Sequence, residues 1–285
     1  MHSDMKLGPV KLKISSLVRS VAFYEDVIGL KLLRREGSTA ELAAAGAEGP
    51  LLILEEVENA VSVPRRSASG LYHFAILLPT RADLGLVTRH LLDRQVYFGH
   101  GDHKVSEALY LNDPDENGIE IYADRPREAW ERHADGTAVM TTEAVDLEDV
   151  LQEAEGLVWS GLPEGTRIGH LHFHVGNLAE AKRFYCDVLG LDIAGSYPDM
   201  RVLFVAAGGY HHHLGLNVWA GEGAKPPADH AVGIKNFTIL LPDSREIEAL
   251  IERLNEASYA PKKQEDAWVV RDPWNIEIRI KQGKG

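Results

Sequence analysis

The chain contains an internal repeat, and this repeat is the feature that most limits the folds open to it. Segment 9–30, PVKLKISSLVRSVAFYEDVIGL, matches segment 170–191, HLHFHVGNLAEAKRFYCDVLGL, with FY, DV and GL at the same offsets. A second pair, GLYHFAILLP at 70–79 and GIKNFTILLP at 233–242, also matches, and each is followed by an Asp-Pro turn and an Ile-Glu-Ile stretch. A period this long indicates duplication of whole domains rather than a solenoid of short repeats.

The length and charge of the chain exclude several kinds of partner. Its 285 residues are enough for two domains of about 100–150 residues each. Acidic residues outnumber basic ones by 43 to 30, which gives a net charge of -13. Binding to nucleic acid or to an anionic membrane needs clustered Lys and Arg, and the sequence has no such cluster, so we expect neither partner.

The sequence also bears on where the protein is found. Cys186 is the only cysteine, so no disulfide can form within the chain. The start, MHSDMKLGP, lacks the basic and apolar stretches of a secretory signal, and no run of about 18 apolar residues follows. We therefore predict a cytoplasmic protein that does not enter a membrane.

The apolar periodicity divides the chain into four modules, each with the predicted order β-α-β-β-β. They span residues 7–60, 70–123, 168–220 and 233–281. We predict one domain from modules one and two at 7–124, a second from modules three and four at 168–281, and a connector at 125–167. The connector is acidic, with a short helix predicted at 146–154, and a mobile lid is its alternative interpretation. In module one, a single helix is expected from Ser16 or Ser20 to Gly29.

Several strings in these modules resemble a known family. The FY…GL helix and the D-P-x-G-x-x-E-I type of turn resemble the vicinal oxygen chelate superfamily, which includes glyoxalase I, bleomycin resistance proteins and extradiol dioxygenases. The strings GLYHFAILLP, SEALYLNDPDENGIEIYADRP, IGHLHFHV and GGYHHHLGLNVWAG are similar to the extradiol catechol 2,3-dioxygenases. The resemblance implies an α+β fold, in which four βαβββ modules form two cup-shaped, glyoxalase-like barrel domains.

In that superfamily, metal ligands come from the first and last strands of the modules. Here these positions offer three strong ligands, all in modules two and three: His73, Glu120 and His170. The other positions are filled by Pro9, about Leu54, about Asn217, Asn236 and Glu277. A complete site then requires module two to pair with module three, and module one with module four. We predict this exchanged pairing, with one active cup and one cup without a metal.

Two histidines and one carboxylate on one face of a metal suit Fe(II), because three positions stay open for substrate and dioxygen. The same ligands accept Mn(II). The resemblance therefore implies an extradiol dioxygenase that cleaves catechol or a substituted catechol with O2, giving a product of the 2-hydroxymuconic semialdehyde type. Its partners are a small aromatic diol and O2, and the sequence leaves open a monomer or a homo-oligomer.

Other residues are candidates for proton transfer and substrate contact. The run Tyr210-His211-His212-His213 precedes the last strand of module three, and either His212 or His213 is the expected acid/base, since histidine exchanges protons near pH 7. Strand alternation places His172 on the face of His170, and Tyr122 on the face of Glu120. His172, Tyr122 and Asn217 are therefore the predicted substrate-binding residues.

Two other functions compete with ring cleavage. A glyoxalase-type isomerase or lyase would need a fourth metal ligand and a pocket for a thiol adduct. A non-catalytic protein that sequesters a small molecule, as in bleomycin resistance, needs no metal, and the histidines would then be ordinary core or surface residues. The sequence favours the dioxygenase, because Asn217 is a poor fourth ligand.

Overall fold

The computed structural model describes residues 1–283 and contains sixteen strands within them. Module one comprises β1 (Lys6–Ile14), α1 (Leu17–Phe23), a π-helix (Tyr24–Ile28), β2 (Lys31–Glu36), β3 (Thr39–Ala43) and β4 (Leu52–Glu56). Module two comprises β5 (Gly70–Leu78), α2 (Arg81–Asp93), β6 (Gly99–Asp102), β7 (Ser106–Asn112) and β8 (Gly118–Asp124).

The second half of the chain repeats this order after a connector. The connector holds a 3-10 turn (Arg127–Ala129) and α3 (Leu147–Glu153). Module three comprises β9 (Arg167–His174), α4 (Leu178–Lys182), a π-helix (Arg183–Val188), β10 (Asp192–Tyr197), β11 (Val202–Ala206) and β12 (Leu214–Asn217). Module four comprises β13 (Gly233–Leu241), α5 (Ser244–Glu256), β14 (Lys262–Gln264), β15 (Ala267–Arg271) and β16 (Glu277–Gln282). Within residues 1–283, none of the helices has the length and apolar character needed to cross a bilayer.

The strands form two curled sheets of eight, and each sheet takes one module from each half of the chain. The first cup, from modules two and three, has the order β10-β11-β12-β9-β5-β8-β7-β6. The second cup, from modules one and four, has the order β14-β15-β16-β13-β1-β4-β3-β2. The expected α+β fold and the exchanged pairing are both confirmed. Apolar residues of both sheets share one core, in which the rings of Phe173 and Phe237 lie 5.5 Å apart.

Module one has an α-helix followed by a π-helix at the FY motif, whereas the sequence predicts a single helix from Ser16 or Ser20. Ser16 caps α1 by accepting a hydrogen bond from the backbone of Arg19, and the π-helix then begins at the tyrosine of the motif. The hydroxyl of Tyr24 donates to Asp113 at 2.9 Å, and that of Tyr185 donates to Asp272 at 2.8 Å. The motif therefore ties each odd module to the Asp-Pro turn of the module that follows it.

We expect Tyr185→Phe to lower the free energy of unfolding by about 1–3 kcal/mol, because a buried carboxyl loses its hydroxyl donor. Asp272 is 5 % exposed, and burial raises its pKa to about 7. Because water is excluded from this carboxyl group, hydrogen bonds from the protein take the place of its hydration. Urea unfolding at pH 7 measures the effect, and Tyr97→Phe, at a tyrosine that is 93 % exposed, is the matched control. Equal unfolding midpoints for the two variants would contradict this role of the motif.

The connector packs against the first cup along much of its length. Helix α3 lies against α2, and Glu143 forms a bridge with Asp102 at the outer edge of the first sheet. Trp130 is buried in a small apolar cluster with Tyr210 of module three. The connector is therefore part of the wall around the first cup.

Candidate metal centre

Three strands at the middle of the first cup carry the candidate ligands. Ala75 of β5 pairs with Glu120 of parallel β8 on one side, and with His170 of antiparallel β9 on the other. His73 lies two residues before Ala75 and so points to the same face. The register thus directs one side chain from each strand into the same part of the cup.

The donor atoms of these side chains lie close enough to share one cation. Nε2 of His73 is 3.1 Å from Oε2 of Glu120, and Nε2 of His170 is 3.0 Å from the same oxygen. One ligand atom from each of the three residues lies within 4.8 Å of the other two. Ligands at about 2.1 Å from a metal and at right angles to each other are about 3.0 Å apart.

Burial and charge fit a cation at this point. Glu120 is 2 % exposed, and burial alone would raise its pKa, but His170 and then His73 hold the pKa of this carboxyl well below its usual range. Burial lowers the pKa of His73, and Glu120 partly opposes that shift. An ionised carboxylate faced by an uncharged imidazole is the form in which both groups bind metals.

An unpartnered nitrogen supports the same conclusion. Nε2 of His73 is buried and has no hydrogen-bond partner among residues 1–283, although Oε2 of Glu120 lies 3.1 Å away. A buried ring nitrogen without a partner is costly unless something else binds it. The residues present therefore fit a metal ion bound by His73, Glu120 and His170.

The fourth ligand position is held by Gly215 and not by Asn217, which corrects the expectation from the sequence. A pseudo-twofold axis relates β5 to β9, so that His170 takes the place of His73. Glu120 pairs with Ala75, two residues after His73, and Gly215 pairs with His172, two residues after His170. A Cβ at Gly215 would lie 2.8 Å from the ring of His172, so this imidazole fills the space of a fourth ligand.

The second cup has no matching ligand set. Its register places Arg279 where Glu120 stands in the first cup, in place of the expected Glu277, and Ile53 where Gly215 stands, in place of the expected Leu54. Pro9 and Asn236 occupy the positions of the two histidines, as expected from the repeat. An arginine at the carboxylate position repels a cation, which disfavours a metal ion in the second cup.

The three predicted substrate contacts have different surroundings. The ring of His172 lies 5.0 Å from that of His73, and its Nε2 is buried without a partner among the described residues. Asn217 bonds through its Oδ1 to His174 and to the backbone of Trp219, while its Nδ2 is buried and also unpartnered there.

Tyr122, the third of these residues, lies between another tyrosine and a candidate ligand. Its hydroxyl lies 2.7 Å from that of Tyr210, which in turn donates to Asp124 at 2.9 Å. Its ring packs 4.9 Å from that of His170. The hydroxyl of Tyr122 thus has a partner in Tyr210, and its ring supports the position of the candidate ligand His170.

The structure separates the two candidates for acid/base catalysis. The ring of His212 is buried and lies 4.2 Å from that of His170. The ring of His213 accepts a hydrogen bond from the backbone of Ala207 and lies against Tyr210, and burial lowers its pKa to about 3. His212 is therefore the candidate that lies beside the metal ligands.

Some residues near the site were not predicted from the sequence. The ring of Tyr110 lies 5.8 Å from that of His73, and its hydroxyl lies 2.7 Å from Nε2 of His103. His211 lies 2.9 Å from Asp124 through its Nε2. Strand alternation does not reveal His211, because it precedes β12 and lies in a loop.

A cavity of about 590 Å³ reaches His73, one of the three candidate ligands. It is lined by His73, Tyr110 and His174 on the side of the cup. Residues 63–66 and 68–71, which include Arg66, also line it. This volume admits a single aromatic ring and its substituents.

The comparisons with known proteins agree with this fold and site. A family model described as the Glyoxalase/Bleomycin resistance protein/Dioxygenase superfamily matches residues 6–121 and 167–279. The chain belongs to this superfamily.

Within it, the chain is 51% identical over 273 residues to the catechol-2,3-dioxygenase of Bacillus subtilis (strain 168), covering 96% of this chain and 95% of the relative. It is thus a catechol-2,3-dioxygenase-like oxidoreductase. Among solved structures, a putative dioxygenase from Bacillus subtilis subsp. subtilis str. 168 matches with a TM-score of 0.67 at 11% identity, covering 100% of this chain and 87% of that one. Glyoxalase I from Zea mays matches with a TM-score of 0.55 at 16% identity, covering 98% and 92%. These two structures support the fold alone.

Proposed function

We propose that this protein is an Fe(II)-dependent extradiol dioxygenase, which cleaves catechol or a substituted catechol with O2 to a product of the 2-hydroxymuconic semialdehyde type. The observation that carries the proposal is the set His73, Glu120 and His170, with Gly215 at the fourth position. Three protein donors on one face leave adjacent positions for both oxygens of a diol and for dioxygen. The name of the Bacillus subtilis relative supports catechol as the substrate.

When bound, iron would supply Lewis acidity towards the diol oxygens and a redox-active centre for the reaction of the ring with dioxygen. The imidazoles of His73 and His170 and the carboxylate of Glu120 would hold it within the buried cup. The same three donors also bind Mn(II), which would occupy the same site.

The protein then binds and orients the diol with the remaining groups of the first cup. The unpartnered Nε2 of His172 is placed to hydrogen-bond one diol oxygen, and Nδ2 of Asn217 is the second proposed contact. His212 takes a proton from the diol and later returns one, since imidazole suits both steps. Tyr122 holds the ring of His170 in place through its packing.

Oxygen dependence tests this function directly. Protein loaded with Fe(II) and mixed with catechol in air is expected to give a yellow product, while the same mixture without oxygen gives none. His170→Ala is expected to abolish the product, whereas Asn236→Ala, at the position of the second cup that matches His73, is expected to retain it. Failure of the wild-type protein to consume oxygen with catechol would overturn the proposal.

A glyoxalase-type isomerase is the second candidate, because glyoxalase I of Zea mays shares the fold. Its reaction needs no dioxygen, so an anaerobic assay separates the two. Gly215 disfavours it, since the residue offers no side chain as a fourth ligand.

A further inference from the structure

A chain of hydrogen bonds runs from the end of β8 to the candidate acid/base. Oδ1 of Asp124 lies 2.9 Å from Nε2 of His211, and Nδ1 of His211 lies 2.8 Å from Nδ1 of His212. His211 is 1 % exposed and His212 is 6 % exposed, whereas the Asp124 side chain is 23 % exposed. The chain thus connects a carboxylate near the surface with a ring that lies against the ligand His170.

With His211 neutral, the chemistry of these groups allows one direction for the hydrogen bonds. An ionised carboxylate only accepts, so Nε2 of His211 must carry the proton that is shared with Asp124. In a neutral imidazole the other nitrogen is then an acceptor, so Nδ1 of His211 accepts from Nδ1–H of His212. Nε2 of His212 is left with a free lone pair, and it makes no hydrogen bond with any other described residue.

We propose that Asp124 and His211 are positioning residues, which fix His212 as the Nδ1–H tautomer and keep its Nε2 ready to accept a proton from the diol. This inference rests on the proposed function of His212 as the acid/base. It concerns the orientation and tautomer of the ring, and neither Asp124 nor His211 touches the substrate.

The surroundings of His211 protect this arrangement. The ring of Trp130, from the connector, lies 5.4 Å from that of His211, and the ring of Tyr210 lies 4.1 Å from it on another side. The hydroxyl of Tyr210 donates to the second oxygen of Asp124 at 2.9 Å, which fixes the carboxylate. Such packing keeps water from competing for the ring nitrogens, and hydrogen bonds are stronger where water is excluded.

The decisive variant is His211→Phe, which keeps the ring volume and removes both nitrogens. We expect kcat for catechol cleavage to fall by about 10²-fold, because the acid/base loses its orientation. KM and the iron content are expected to stay unchanged, because the substrate site and the metal ligands are not altered. His90→Phe is the matched control, since His90 is also buried but stacks on Trp159, on the outer side of the fold. Asp124→Ala is expected to lower kcat in the same direction, and it tests the inference if His211→Phe fails to fold.

Nitrogen-15 NMR of the metal-free protein gives a readout that does not depend on turnover. The resonances of His212, identified by their loss in His212→Gln, are expected to show a proton on Nδ1 in the wild type and a shift towards the Nε2–H tautomer in His211→Phe. A proton on Nε2 in the wild type, or a kcat within twofold of wild type in both variants, would overturn the inference. A wild-type protein that fails to cleave catechol would refute the proposed function, while the NMR result would still decide the tautomer.

Discussion

Replacing Glu120 with glutamine is expected to abolish ring cleavage and to reduce the iron content of the purified protein to background. Glutamine keeps the size of the side chain but removes the only negative charge among the three donors. Two neutral imidazoles and a buried neutral amide do not compensate a divalent cation in a site shielded from water. Metal analysis and an oxygen-uptake assay on the same preparation measure both effects.

Glu277→Gln is the matched control for this result. Glu277 is the glutamate that the sequence repeat aligns with Glu120, but it lies in the second cup and pairs with Arg271 at 2.6 Å. We expect this variant to keep wild-type iron and activity. An active, iron-loaded Glu120→Gln protein would show that the centre does not need the carboxylate, and would remove the basis of the proposed function.

Gly118→Ala is expected to destabilise the protein by about 3 kcal/mol and to reduce catalysis through a displaced strand. A Cβ at this position would lie 2.1 Å from the carbonyl oxygen of Tyr72 and 3.0 Å from Cβ of His73. The clash falls between β5 and β8, the strands that carry two of the three candidate ligands. Backbone atoms in a sheet cannot rotate away as a side chain can, so the strands must separate.

Gly99→Ala in the same sheet provides the comparison. Its added Cβ would lie 3.9 Å from Tyr110, which is an ordinary contact. We expect its urea unfolding midpoint and its iron content to match those of the wild type. Equal stability of the two alanine variants would show that β5 and β8 are not held as closely as the structure has them.

The repeat predicts the modules and the strands that carry His73, Glu120 and His170, and the positions of these ligands predict the exchanged pairing. It misplaces the counterparts of Glu120 by one or two residues, for a physical reason. Side chains two apart on a strand share a face, so the alternation of apolar and polar residues does not distinguish positions 215 and 217. Hydrogen bonds at the turns decide the register instead.

The Ile-Glu-Ile stretches show this error clearly. Asp113 accepts hydrogen bonds from the backbone of the residues two and four positions later, and Asp272 does the same. Both turns therefore have the same length, and Glu277 corresponds to Gly118 rather than to Glu120. The identical Ile-Glu-Ile sequences therefore occupy different positions in β8 and β16, which only the backbone geometry reveals.

The exchange of modules between the two sheets also determines how the candidate centre assembles. Two of its donors precede the connector and one follows it, so both halves of the polypeptide must fold before any ligand set exists. Because the halves are covalently joined, each meets its counterpart at a high local concentration. Assembly of the three ligands is therefore a unimolecular step, and its yield does not depend on the protein concentration.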